Sequence, residues 1–371
     1  MDFDFSDDQE QLRDAVRKWV DKAYTFERRR AAVRAGGFDA ATWTEMAELG
    51  LTGLLVPQDH GGMGMGPVEA MVVMEELGRG IVLEPLAQAL VASGILSTYA
   101  NAAIQAEWLP AIAAGDALVV LAYQERASRY HLDVCDTKAV QVPGGYVING
   151  CKSVVVAGDL AKAYLVSAKV NSQMGLFLVE RLSSGVSTRG YGTQDGSRAA
   201  EVAFKNAPAT LISANGLQAL EHAVDIGIAM SCAEAVGVMD KTMNVTAEYL
   251  GTRKQFGVTI GSFQALRHRA ADMKMQLELA RSMSYYAALK LNTETAERRA
   301  AMARAKYQLG VSMRFVGQQA VQLHGGIGVT DDYIVSHYFK KLTQLELSFG
   351  DTLHQLGEVS ARMQDTAGVF A

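Results

Sequence analysis

Residues Thr252–Met273 read TRKQFGVTIGSFQALRHRAADM. Helix-like text ends near Arg253, Gly257 and Gly261 punctuate a short turn, and a helical apolar period resumes at Ser262. Arg253 and Phe256 therefore stand together just ahead of a helix start, where a guanidinium is a good partner for a pyrophosphate.

Outward from this turn the helical period predicts long runs over Leu217 to Leu250, Ser262 to Asn292 and Glu294 to His324. Their faces are rich in Ala, Gly, Met and Ser, as in DIGIAMSCAEAVGVM, which suits helices packed on several sides in a bundle. Ser6 to about Gly115 is also helical, with Leu12, Val16 and Val20 at helix spacing. Between them, from about Ala117 to Ser213, the text changes to short β-rich runs split by PGG, NG and Gly/Ser clusters. The segment VPGGYVING reads as a hairpin turn between two strands, and the short spacing fits an antiparallel sheet or barrel. The expectation is an α+β multidomain chain with a helical domain over 1–116, an all-β domain over 117–213 and a helical bundle over 214–371.

Composition excludes several classes. The 35 basic and 40 acidic residues nearly cancel, leaving a net charge of −5 and no electrostatic footprint for nucleic acid or an anionic membrane. The longest uncharged stretch, Pro85 to Ala106, carries too many polar side chains for a bilayer span. The start, acidic and amphipathic, fits neither a signal nor a transit peptide, which predicts a cytoplasmic protein. Cys135, Cys151 and Cys232 are isolated and read as buried thiols rather than disulfides or zinc ligands, and no metal is expected.

Two fingerprints have plainer readings. GYVINGCKS is close to a P-loop, but Cys151 separates Gly150 from Lys152 and no helix follows. GGMGMG, Gly61 to Gly66, lacks Rossmann spacing and reads as a flexible loop between helices. ERRRAAVR, Glu27 to Arg34, reads as a solvated helix face, and His222, His268 and His337 lack any metal or triad spacing. In QAVQLHGGIGVTDDY the glycines make a helix C-cap and Thr330-Asp331 an N-cap, which leaves Gln322 and His324 unexplained. In LELSFGDTLHQL, Asp351 follows Gly350 as an N-cap would.

RKQFGVTIGSFQ followed about seventy residues later by QLHGGIGVT, together with LGLTGLLVPQDHGGMG, MEELGRG and GYVINGCK, resembles the acyl-CoA dehydrogenase family over essentially the whole chain. The resemblance implies an N-terminal helical domain, a middle β-barrel and a C-terminal four-helix bundle. It also implies FAD, an acyl-CoA substrate and electron-transfer flavoprotein as acceptor. A carboxylate would remove the α-proton while the β-hydrogen leaves as hydride to the flavin, which demands a desolvated base and a hydrogen-bonded thioester oxygen. The family's cofactor site is shared between subunits: Arg253 and Phe256 would reach the pyrophosphate region of a neighbour's FAD, and Gln322, Gly325 and Gly326 its adenine side.

The chain departs from the family in the half of the site a subunit builds for itself. YQERASRYHLD, Tyr123 to Asp133, stands where the family has Thr-Glu-Pro and Gly-Ser-Asp. Val154 and Val156 stand where it places an aromatic ring and a hydroxyl against the flavin. Phe349 stands in place of the commonest catalytic Glu, and the alternative base falls near Gly227, with Asp225 the nearest carboxylate. Loss confined to one half resembles the small subunits of heteromeric acyl-CoA dehydrogenases of the pimeloyl-CoA and steroid side-chain types. The expectation is an α₂β₂ assembly with a paralogous subunit; the alternatives are a self-sufficient homo-oligomer with a relocated base, or a flavin-free scaffold. Asp351 is the best candidate base within the chain. Its two-residue displacement redirects its side chain, so it is expected to cap a helix while the proton is taken in a partner's site.

Overall fold

The computed structural model describes residues 5–366; residues 1–4 and 367–371, assigned above to the outer ends of the two helical domains, lie outside the described residues. Six helices come first: α1 Asp7–Ala23, α2 Phe26–Arg34, α3 Ala40–Glu48, α4 Pro67–Gly80, α5 Leu86–Tyr99 and α6 Ala102–Ala113. Seven strands follow: β1 Val119–Ala122, β2 Lys138–Val142, β3 Gly145–Val156, β4 Ala163–Val170, β5 Gln173–Glu180, β6 Val186–Gly192 and β7 Arg198–Ser213. Then come α7 Gly216–Thr252, the two-residue strands β8 Lys254–Gln255 and β9 Val258–Thr259, α8 Gln264–Lys290, α9 Thr295–His324, α10 Ile334–Leu347 and α11 Thr352–Thr366. Helix starts follow local chemistry: Ser6 and Gln9 form a reciprocal capping box on α1, and Asn101 caps α6 through its side chain. Contacts gather the chain into two compact units.

The unit made of Arg30–Gly66 and Leu83–Gly227 contains the strands from β1 to β7. Pairings β4–β2, β2–β3, β3–β7, β7–β5 and β5–β4 run in a ring, so the sheet closes into a barrel, with β1 added parallel to β4 and β6 antiparallel to β7. Closure leaves few open edges and gives the wall an inner face. Ile148, Val166, Phe177 and Phe204 are buried there, and the buried Tyr164 hydroxyl donates to Gly158 O at 2.8 Å. GYVING and KSVVV, read as separate runs, form the single strand β3. The chain continues through Gly150 at φ 154 with register shifts on either side, and a Cβ there would lie 2.5 Å from Thr137 Oγ1.

The other unit, Met1–Arg29, Pro67–Val82 and Ile228–Ala371, is helical in its described residues apart from the short strands β8 and β9. Its tightest crossing joins α4 and α7 with a glycine on each side. A Cβ on Gly78 would come within 2.1 Å of Glu234 O, and one on Gly237 within 1.8 Å of Glu75 O. Around this crossing the polar positions pair: Arg281 of α8 with Glu75, Arg79 with Asp240 at 2.6 Å, and Arg17 of α1 with Glu76 at 2.7 Å. The small residues of DIGIAMSCAEAVGVM thus serve close approach.

Four sequence readings need correction. Thr330-Asp331 does not cap the next helix: α10 begins at Ile334 with Tyr333 at its N-cap and no side-chain cap hydrogen bond. Arg29 is not on a solvated face: it is 1% exposed and donates to Ile81 O at 3.0 Å, across a sequence distance that local pattern cannot reveal. Cys151 is exposed, because β3 alternates and the adjacent Lys152 points inward. The GGMGMG loop is hydrogen-bonded back onto the preceding segment, with Met63 N on Gly53 O at 2.9 Å and Gly64 N on Val56 O at 2.8 Å. One consequence is testable by thermal unfolding. Gly237→Ala forces α4 and α7 apart and should cost about 1–3 kcal/mol, lowering Tm by several degrees; an unchanged Tm would rule out this crossing.

Candidate functional site

The ends of α7 and α9 meet in the helical unit. The Tyr249 ring stacks on His324 with centroids 4.4 Å apart, and its hydroxyl donates to His324 O at 3.3 Å. One turn after Tyr249 lies Arg253, and one residue after His324 lies Gly325. The two motifs separated by seventy residues are thereby brought to one end of the unit. Beyond Arg253, β8 and β9 form a small hairpin that carries Phe256 at its turn, 90% exposed, at φ 52 and edge-on to Phe263. Gln322, Gly325 and Gly326 are exposed, and a Cβ built on either glycine meets nothing within 4 Å. Gly325 takes φ 62, ψ −139, a conformation that is essentially glycine-only, which is why glycine ends α9. An exposed guanidinium, an exposed ring and an open glycine edge are suited to an anionic, planar ligand.

His324 is buried, and its Nδ1 lies 2.8 Å from Ala320 O. A carbonyl only accepts, so Nδ1 carries the hydrogen and Nε2 a lone pair that no described protein group satisfies. His324 therefore has a packing role on Tyr249 and Tyr333 that the sequence left open.

Asp351 lies elsewhere, in the turn between α10 and α11. Its Oδ1 accepts from His354 N at 2.9 Å, the geometry of an N-cap on α11. The turn before it is fastened from α9: Lys306 Nζ, fully buried, donates to Leu345 O at 2.5 Å and Glu346 O at 3.0 Å. The Glu346 carboxylate accepts from Thr352 N at 3.0 Å and Arg314 Nη2 at 3.1 Å, and Gly310 makes room for Thr352. Burial pulls the Lys306 ammonium down to about 8, so it serves as a carbonyl donor inside the fold. From Gly310 to His324 the helix advances roughly 21 Å at 1.5 Å per residue, so within this unit Asp351 is remote from the glycine edge.

In the barrel unit, Glu125 of YQERASRYHLD is bound to Lys152 of GYVINGCK at 2.6 Å, with 8% of Glu125 and none of Lys152 exposed. Thr137 Oγ1 at 2.7 Å, Asp136 N at 2.7 Å and Cys135 Sγ at 3.3 Å donate to the same carboxylate. Burial alone pushes this carboxyl up, but the Lys152 charge and the hydrogen bonds from Lys152, Thr137 and Asp136 more than reverse it and hold it at about 2. The lysine of the P-loop lookalike thus serves the barrel. Two residues on, Val154 stands at φ 52 and 45% exposed, where the strand is bulged between Lys152 and Val155. A β-branched residue in this conformation is strained by about 1–3 kcal/mol. Val154 and Val156 offer a flavin ring neither a stacking partner nor a hydroxyl, so this half does not fit the group, whereas the exposed elements of the helical unit do.

Two family descriptions match: "Acyl-CoA dehydrogenase, N-terminal domain" over residues 6–116 and "Acyl-CoA dehydrogenase, C-terminal domain" over residues 214–364. The chain belongs to the acyl-CoA dehydrogenase family of oxidoreductases. It is similar to acyl-CoA dehydrogenase FadE27 of Mycobacterium tuberculosis, 26% identical over 99% of this chain and 100% of that one. Mitochondrial isovaleryl-CoA dehydrogenase of Oryza sativa subsp. japonica is 27% identical over 93% and 88%. Among solved structures, the ChsE4-ChsE5 complex of Mycobacterium tuberculosis matches with TM-score 0.90 and 25% identity over 99% and 100%. A variant of the Tcur3481-Tcur3483 steroid ACAD matches with TM-score 0.91 and 28% identity over 97% and 99%.

Glu125 and Lys152 each stand in a sequence motif, but nothing local marks them as partners. Their pairing needs the barrel's closure to bring them together. The unfolded Glu125 carboxyl titrates near about 4.3. Because the folded value is lower, the pair's contribution is complete above that pH and disappears as pH falls toward about 2. Glu125→Gln leaves Lys152 buried without its counter-charge and should cost about 3–5 kcal/mol at neutral pH. Denaturant titrations at stepped pH should also show the acid loss of stability flattened in the variant; an unchanged acid limb would contradict the pairing.

Proposed function

We propose that this chain is one subunit of a heteromeric, FAD-dependent acyl-CoA dehydrogenase that desaturates an acyl-CoA thioester between Cα and Cβ in the cytoplasm. It completes the flavin site of a paralogous partner in an α₂β₂ assembly. The observation that carries this reading is the asymmetry of the two half-sites: Arg253, Phe256 and the Gly325–Gly326 edge are exposed and open, while the segment with Val154 and Glu125 is built for the barrel. The similarity to the ChsE4-ChsE5 and Tcur3481-Tcur3483 proteins, each named as a pair of chains, supports it.

Arg253 supplies a charge-assisted donor to the pyrophosphate, and Phe256 packs a flat ring beside it. Gln322 stands at the adenine side, where Gly325 and Gly326 let the backbone approach without a Cβ in the way. FAD, when bound, takes up the hydride, and electron-transfer flavoprotein is the proposed acceptor. Asp351 stays a helix cap and holds no reacting proton; the base and the donors to the thioester oxygen belong to the partner.

Two substitutions in the co-purified complex test this. Arg253→Ala removes a charge-assisted contact and should weaken FAD retention about 10- to 100-fold by equilibrium dialysis. Asp351→Asn keeps a good N-cap, so both Tm and turnover should stay within about twofold or experimental error of the wild type. Unaltered FAD binding in the first variant, or abolished turnover in the second, would each overturn the assignment.

A further inference from the structure

Between α9 and α10 lies the segment that begins at Gly325 and ends at Tyr333. At its start, Gly325 N donates back to Val321 O and Gln322 O as the C-cap of α9. At its far end, the carbonyl of Asp331 lies 2.9 Å from Nε2 of His337, the fourth residue of α10. The other ring nitrogen, Nδ1, lies 3.2 Å from Nη1 of Arg29, whose Nε is committed to Ile81 O at 3.0 Å. The edge of the Phe26 ring closes the site at 5.0 Å.

The partners decide the tautomer. A guanidinium can only donate, so Nδ1 must accept; a carbonyl can only accept, so Nε2 must carry the hydrogen. The neutral imidazole is therefore the one form that satisfies both neighbours. A second proton on Nδ1 would set two donors and two positive charges against each other. The charged groups facing the ring are Arg29 of α2, Lys340 of α10 and Asp331 of the segment itself. Lys340 binds the Asp331 carboxylate at 2.5 Å.

We propose that His337, braced by Arg29, is a positioning residue for the Gly325–Tyr333 segment, holding the glycine edge in place in its neutral form and releasing it when protonated. Tyr333 transmits the hold, because its ring packs on His324 immediately before Gly325, with centroids 5.3 Å apart. Burial first, and then Arg29 and Lys340, lower the His337 pKa, only partly opposed by the Asp331 carbonyl and carboxylate. The unfolded imidazole titrates near about 6.5. With the folded value below that, the latch is complete above about pH 6.5 and weakens as pH falls below it. The consequence for flavin rests on the reading that Gly325 and Gly326 hold the cofactor.

Hydrogen exchange of the amides from Gly325 to Tyr333, in the full chain, measures the latch without reference to activity. After correction for intrinsic rates, wild-type exchange should be faster at about pH 5.5 than at about pH 7.5 by up to about tenfold, since protonation of an opened imidazole near about 6.5 favours opening by at most a factor of about ten per pH unit below that value. His337→Gln keeps an amide donor for Asp331 O but does not titrate, and its exchange should not change with pH. Lys340→Met controls for titration of Asp331 and should keep the wild-type response, so the proposal stays testable even where the Gln variant folds poorly. A pH-independent wild type, a Gln variant with the wild-type response, or a Met variant that loses it would overturn the proposal. FAD dissociation from the complex, measured over the same pH range, should accelerate in step. An exchange response without a flavin response would leave the latch intact and count against the cofactor reading instead.

Discussion

The ion pair between Glu125 and Lys152 constrains the barrel and, through it, what that half of the molecule can bind. A lysine with no exposed surface keeps its charge most readily beside a counter-charge, and Glu125 supplies it at 2.6 Å while accepting four further hydrogen bonds. Once the carboxylate is so occupied, the start of YQERASRYHLD is fastened to β3 and cannot present its acid to a ligand. The strand that carries Lys152 bulges just beyond it, and Val154 stands there in a left-handed conformation.

The helical unit is governed by different physics. Close approach of α4 and α7 through Gly78 and Gly237 fixes the bundle, and the same unit then leaves two segments open at one end. Strain recurs where those segments and the SFGDT turn change direction: Phe256 at φ 52 and Phe349 at φ 56 both occupy backbone that glycine would adopt more easily. Phe349 is maintained there because Lys306 and Glu346 fasten the turn on both sides. A side chain two residues further on faces α11 instead, which gives Asp351 its capping geometry.

Much of this was legible in the sequence, because periodicity is local. The α, β, α succession and the long helices fell within a few residues of the expected ends, and the Gly-Asp pair gave the cap on α11 directly. The unread parts depend on partners far apart in the chain. Arg29 looked like one of several surface arginines until Ile81 O, fifty-two residues on, was placed against it. Nothing in GYVINGCK told whether Cys151 or Lys152 faced inward, since period-two alternation fixes the pattern but not its phase. The NG step in β3 looked like a turn because glycine permits both a turn and the bulge that occurs. The open glycine edge and the hairpin bearing Phe256 were legible as motifs, but their meeting through Tyr249 and His324 required the fold.

The central claim is that this chain supplies only the outer half of a flavin site. The most direct measurement is the flavin content per polypeptide, by absorbance against protein mass, of the chain purified alone and of its complex with the paralogous subunit. The account predicts a colourless chain alone and about one flavin for every two polypeptides in the complex, because only the partner builds the inner half. A yellow, active homo-oligomer with one flavin per chain would contradict it.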